Sequence, residues 1–219
     1  MIILGVGTPF PHDPSAAILV GGKIIAAADE ERFTREKHAQ DKFAVEAVKF
    51  CLKTANVKPE DIDVVAYPWS FHAHLGGVLP YVKRCWLARP SQALKAVTQL
   101  AKTYKDAVKK LDGSLRGAGI DPRRVKKYFV EHHLAHASSA YHLSGMKDCA
   151  IMSIDGAGEF ASTLFAEGRG GKIRKIKEFI RPDSLGRFYS TITAYLGFRT
   201  SDGEYKVMGM APFGDPSKV

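Results

Sequence analysis

The chain has 219 residues, 45% of them hydrophobic and 25% charged, with a formal net charge of +9. Those proportions fit one large globular domain, or one domain and part of another, and exclude a low-complexity or fibrous protein. No apolar run approaches the ~20 residues of a membrane-spanning helix, and Cys51, Cys85 and Cys149 lack CxxC spacing, so they read as thiols in a reducing cytoplasm, Cys51 and Cys149 buried.

Taken in chain order, Met1-Ile2-Ile3-Leu4-Gly5-Val6-Gly7 lacks the basic leader and long apolar core of a signal peptide and reads as a buried strand. Residues 2–7, 15–20 and 23–29 are predicted as successive strands, with Gly21-Gly22 closing a tight hairpin between the last two. Apolar spacing at Phe43, Val45, Ala47, Val48, Cys51 and Leu52 predicts an amphipathic helix over 43–55. A strand at 62–67 follows, then a helical insertion over about 70–120 with its best helix near 91–112. Much of the basic excess lies between Lys83 and Lys127. It fits the solvated face of one or two helices, or a surface that attracts phosphate ligands or RNA; aromatic residues do not interleave with it, so nucleic acid is not expected.

A strand at 126–130 leads into a helix over about 132–144, after which the pattern restarts. Strands at 149–155, 161–167 and 172–179, with a Gly-rich turn at 168–171, repeat the opening three-stranded meander, and a helix at 184–197 follows. Two copies of meander plus helix predict an α/β fold of the duplicated actin, Hsp70 and sugar-kinase type (RNase H-like). Residues 1–145 form the first subdomain and 146–219 the beginning of a second, whose remainder is expected from elsewhere in a longer polypeptide or from a partner. In such folds the backbone N–H groups of facing glycine-rich hairpins can hold phosphate oxygens.

Chemistry concentrates in Glu131-His132-His133-Leu134-Ala135-His136-Ala137. Residues i and i+4 share a helix face, so His132 and His136 can converge on one ion, while His133 points about 100° away and reads as a supporting or substrate-facing residue. Asp155 closes a hydrophobic strand and presents a carboxylate at its tip. Two imidazoles and a carboxylate suit a divalent metal with open positions, and N/O ligands do not separate iron from zinc, manganese or magnesium. The spacing alone also fits an exposed helix face, and Asp155-Gly156 a plain turn. Gly156 and Gly158 permit close approach of backbone to a phosphate.

The stretches His12-Asp13-Pro14-Ser15-Ala16-Ala17, Glu30–His38, His132–Ala137, Asp155-Gly156-Ala157-Gly158-Glu159, Ser184–Tyr189 and Glu204–Pro212 occur in one order along nearly the whole chain. Together they resemble the N-terminal part of a NodU/CmcH-type O-carbamoyltransferase, a family related to the universal tRNA threonylcarbamoyl-transferase. The resemblance implies transfer of a carbamoyl group to a hydroxyl of a sugar or natural product. The donor is carbamoyl-adenylate, made from carbamoyl phosphate and ATP in a separate adenylate-forming domain. It also implies iron at His132, His136 and Asp155, with a fourth carboxylate beyond Val219. His12 is implied as the proton acceptor, though its residues alone fit a polar turn equally well. Lys37, Lys206 and Gly209 are implied near the anionic intermediate or nucleotide; by themselves Lys37 fits a solvated loop and Tyr205–Pro212 a core and turn. A tRNA-modifying relative and a catalytically silent metal-binding subunit are the alternatives.

Overall fold

The computed structural model describes residues 1–7 and 12–218. Strands β1 (Ile2–Gly7), β2 (Ser15–Val20) and β3 (Lys23–Asp29) form an antiparallel meander, and β4 (Val64–Tyr67) and β5 (Lys126–Phe129) join it in parallel. The sheet order is β3-β2-β1-β4-β5. Gly21 and Gly22 turn the β2–β3 hairpin with φ of +59° and +84°, the conformation a two-residue turn requires.

Period-2 alternation decides which side chains this sheet buries. Leu4, Val6, Ala16, Ile18, Val65 and Tyr67 point to one face. There they meet α2 (Val45–Ala55), which follows the short α1 (Glu31–Thr34), through Ala47, Val48, Cys51 and Leu52, and α5 (Leu100–Gly117) through Ala107, Leu111 and Leu115. Leu111 and Leu115 are fully buried, and each such burial contributes about 2 kcal/mol. The 70–120 stretch is helical as expected, but divided into α3 (Phe71–Cys85), α4 (Pro90–Thr98) and α5. The single helix expected near 91–112 breaks at Gln99, because Ala93 packs with Tyr81 and Cys85 while α5 turns its leucines onto the sheet. No one straight helix could serve both faces.

Helix α6 (His132–Ser144) follows β5 and packs on a second antiparallel sheet, β6 (Asp148–Ile154), β7 (Ala161–Arg169) and β8 (Lys172–Ile180). Ala137 and Tyr141 of α6 bury against Ile151, Leu164 and Ala166. Gly168 makes room for that packing: a Cβ there would lie 2.6 Å from the Tyr141 ring. The Tyr141 hydroxyl donates to the Lys147 carbonyl at 2.8 Å and accepts from the Gly171 N–H at 3.1 Å. Two meanders, each paired with helices, make up the duplicated α/β architecture the repeat predicts. Cys149 is half-buried rather than buried; Cys51 is fully enclosed, and burial pushes its thiol up to about 11. Among the described residues no helix is long and apolar enough to cross a membrane.

Candidate metal centre

Helix α6 starts at His132, so the pair sits at its N-terminus, one turn apart. Its N-terminus is held from another part of the chain. The buried Glu159 carboxylate accepts from the His132 N–H at 3.3 Å and from the Ser70 N–H at 2.6 Å. A carboxylate there satisfies an end N–H and complements the helix dipole. Burial pushes the Glu159 carboxyl up, against the backbone hydrogen bonds that stabilise its charge. Gly158 lies so close to the same turn that a Cβ would sit 2.7 Å from the His132 Cβ.

Asp155 follows β6 immediately, and its backbone is gripped by the start of α7 (Leu185–Tyr195). The Ser184 hydroxyl caps α7 by accepting from the Arg187 N–H at 3.0 Å, and it donates to the Gly156 carbonyl at 2.8 Å. Gly186 is needed at this contact, since a Cβ would approach the Asp155 carbonyl carbon to 2.5 Å.

The ligand atoms converge. His132 Nε2 lies 2.7 Å from Asp155 Oδ2, His136 Nε2 lies 2.9 Å from His132 Nε2, and His136 Nε2 is 3.7 Å from Asp155 Oδ2. Hydrogen bonds from His132 and then His136 hold the Asp155 carboxyl far below the usual carboxylate range, outweighing its burial. An anionic carboxylate and two imidazole nitrogens facing one point fit a divalent ion with positions left open. His133 is buried behind the pair against Gly158, where burial pushes its imidazole down, and it does not line the cavity that the pair faces.

His12 lines the same cavity of about 750 Å³ as His132, His136, Asp155 and Gly156, and Glu204 and Arg187 line it too. A second network orients His12. Its Nδ1 meets Asp13 Oδ2 at 2.8 Å, Asp13 Oδ1 meets His38 Nδ1 at 2.8 Å, and His38 Nε2 reaches Asp202 Oδ1 at 3.3 Å. Lys37 pairs with the same Asp202 oxygen. Asp13, His38 and Ser201 all have positive φ, at +55°, +63° and +64°, so the loops that meet here are held in conformations that side chains rarely adopt. The hydrogen bond to Asp13 pushes His38 up, against burial, and Asp202 adds to it.

Of the residues singled out from sequence, His12, His132, His136, Asp155 and Gly156 share one cavity. Gly158 does not line that cavity; it serves the packing of α6 and faces another cavity beyond the turn. Lys37 lies outside the cavity wall and joins the site through Asp202. Lys206 and Gly209, implied near the nucleotide by the resemblance, are on the helix α8 (Glu204–Met210). They sit about 200° and 140° around its axis from Glu204 at 100° per residue, and only Glu204 of the three reaches the cavity. Sequence reasoning leaves Asp13, His38, Asp202 and the capping role of Glu159 unassigned. The Asp13-His12 adjacency is the one local signal that could have pointed to the network.

The fold and this centre define an α/β protein with a histidine-pair and carboxylate site between two meander sheets. The family model described as "Carbamoyltransferase N-terminus" matches residues 2–219, and the chain belongs to that family. It is 37% identical over 217 residues to the nodulation protein NolNO of Sinorhizobium fredii, covering 98% of this chain and 29% of that protein. It is 35% identical over 224 residues to the uncharacterized protein sll1178 of Synechocystis, covering 99% of this chain and 35% of the relative. The chain thus spans about a third of the length of these curated relatives. Among solved structures, YeaZ from Pseudomonas aeruginosa aligns with a TM-score of 0.41 at 17% identity, over 83% of this chain and 66% of its own.

Proposed function

We propose that the chain is the front part of the transfer domain of an ATP-dependent O-carbamoyltransferase. It would move a carbamoyl group from carbamoyl-adenylate, itself made from carbamoyl phosphate, to a hydroxyl of a sugar or natural product. The observation that carries the reading is that His12, from the turn after β1, and the His132–His136–Asp155 centre, from α6 and the end of β6, face one cavity.

The chemistry follows from those positions. With the His12 Nδ1–H donated to Asp13, the atom that takes a proton is Nε2, the tautomer a general base needs. The acceptor oxygen forms a bond to the carbamoyl carbon, its proton passes to His12 Nε2, and the carbon–oxygen bond to the adenylate phosphate breaks to release AMP. Asp13 keeps the ring aligned and balances the imidazolium that forms. His132, His136 and Asp155 would hold a divalent ion, iron by the family resemblance. When bound, that ion supplies positive charge for the carbamoyl oxygen or the adenylate phosphate. The Gly156 backbone lies at the cavity wall, where a phosphate can approach it closely.

The test is transfer by the longer polypeptide that its relatives represent, supplied with ATP, carbamoyl phosphate and a panel of sugar hydroxyls. The reading expects a carbamoylated sugar with release of AMP, lost in His12→Ala. Transfer to tRNA alone, or metal binding with no transfer to any hydroxyl, would replace it with a tRNA-modifying enzyme or a silent metal-binding subunit.

A further inference from the structure

Beyond the turn that carries Asp155, on the side away from the metal centre, lies a separate cavity of about 360 Å³. Its charged lining is lopsided. Lys95, Arg181 and Arg187 all face it, and among the described residues none of the three forms an ion pair. Its one carboxylate, Glu159, already accepts from the N–H groups of Ser70 and His132. The Arg181 guanidinium lies 4.9 Å from the Phe160 ring centre and 5.5 Å from that of Tyr81. One of its terminal nitrogens donates to the Glu159 carbonyl at 2.7 Å, but its Nε is buried with no hydrogen-bond partner. His74, 8% exposed and also in the lining, has a buried Nδ1 with no partner.

A guanidinium taken out of water without a counter-charge is costly, and so is each buried nitrogen left without an acceptor. Burial pushes Arg181 down, and the Arg187 charge acts in the same direction. Both costs are offset if an anion with several acceptor oxygens enters. The other walls suit the rest of such a ligand. On α4 and at its C-cap, Gln92, Lys95 and Gln99 share one face by their spacing of three and four, and Trp69 and Tyr81 supply flat apolar surface. Ala157 and Arg187 line both this cavity and the one holding the metal centre, so the two are neighbours across a single turn.

We infer that this cavity is an oxyanion subsite that takes a phosphate or carboxylate group carried by the hydroxyl acceptor. The acceptor half of that statement rests on the function proposed above; the oxyanion half does not.

Trp69 is nearly buried at the cavity wall, and a Trp86→Phe background leaves it the sole tryptophan of these 219 residues. Titration with inorganic phosphate should change its fluorescence saturably. Arg181→Gln and Lys95→Gln should each weaken binding about tenfold or more, as expected for loss of a charge-assisted hydrogen bond, while His136→Ala leaves it unchanged. Equal affinity in parent, Arg181→Gln and Lys95→Gln, or no saturable change at all, overturns the subsite. If Arg181→Gln does not fold, the exposed Lys95 carries the same test. A second titration compares glucose 6-phosphate with inorganic phosphate. Tighter binding of the sugar phosphate supports the acceptor; equal binding removes the acceptor and leaves only an anion site. Phosphate binding here without transfer to any hydroxyl would defeat the proposed function alone. Transfer indifferent to charge on the acceptor would defeat this inference alone.

Discussion

Two polar clusters meet at the cavity of the metal centre, the second through His12, and they are built in opposite ways. His132, His136 and Asp155 sit on one helix turn and at one strand end, supported by a buried carboxylate, a serine cap and two glycines. His12, Asp13, His38, Asp202 and Lys37 come from loops, three of the segments holding residues with positive φ, and most of these side chains are substantially exposed. The first cluster is positioned by packing, the second mainly by hydrogen bonds between its own members. That difference suits their proposed tasks. A metal centre needs fixed ligands, whereas a proton-transfer group needs orientation and an adjustable pKa.

The strongest test of the contrast removes the rigid cluster. His132→Ala with His136→Ala should abolish retention of a divalent metal, measured by elemental analysis of purified protein, while leaving the fold intact by circular dichroism. Equal metal content in the double variant and the parent would end the metal assignment. Next in size, His12→Ala should lower transfer by roughly 10²–10⁴-fold, the range for a lost general base, with metal content unchanged. A fall in both together would mean that the clusters are one structural unit. Glu159→Gln comes third. It keeps the shape of the cap but removes its charge from the end of α6, and should weaken metal affinity about tenfold, the low end for outer-sphere partners, as measured by competition with a chelator.

The same contrast explains what could be read from the chain. Helical and strand periods are local, so the β1–β3 boundaries, α6 and the strand end that carries Asp155 each follow from about a dozen neighbouring residues, and the His132–His136–Asp155 set spans only 23 positions. The relay has no period. His38 and Asp202 meet at 3.3 Å from positions 164 apart, and only the folded topology brings them together. Glu159 is hidden for a related reason: its partners, the Ser70 and His132 N–H groups, are backbone atoms on other segments, and a backbone donor leaves no mark in sequence. Lys206 and Gly209 show what a local reading leaves open. Lying close in sequence to Glu204, they face away from it once the segment proves helical.

The finest distinction between the clusters is their response to pH. His38 is held above its ordinary value by Asp13, and Asp13 is held below its own by His38 and His12 despite burial, which acts the other way. Pairing that raises the imidazole is complete below the ordinary histidine value of ~6.5 and is lost as pH rises through the raised one. At the acid end it is present above the ordinary aspartate value and fades as pH falls through the depressed one. Nuclear magnetic resonance of the His38 ring should therefore show a midpoint above that of a free histidine, and Asp13→Asn should lower it, because the largest stabiliser of the charged ring is gone. Residual elevation in that variant would measure the share due to Asp202. A midpoint unmoved by Asp13→Asn would mean that the 2.8 Å contact does not persist in solution.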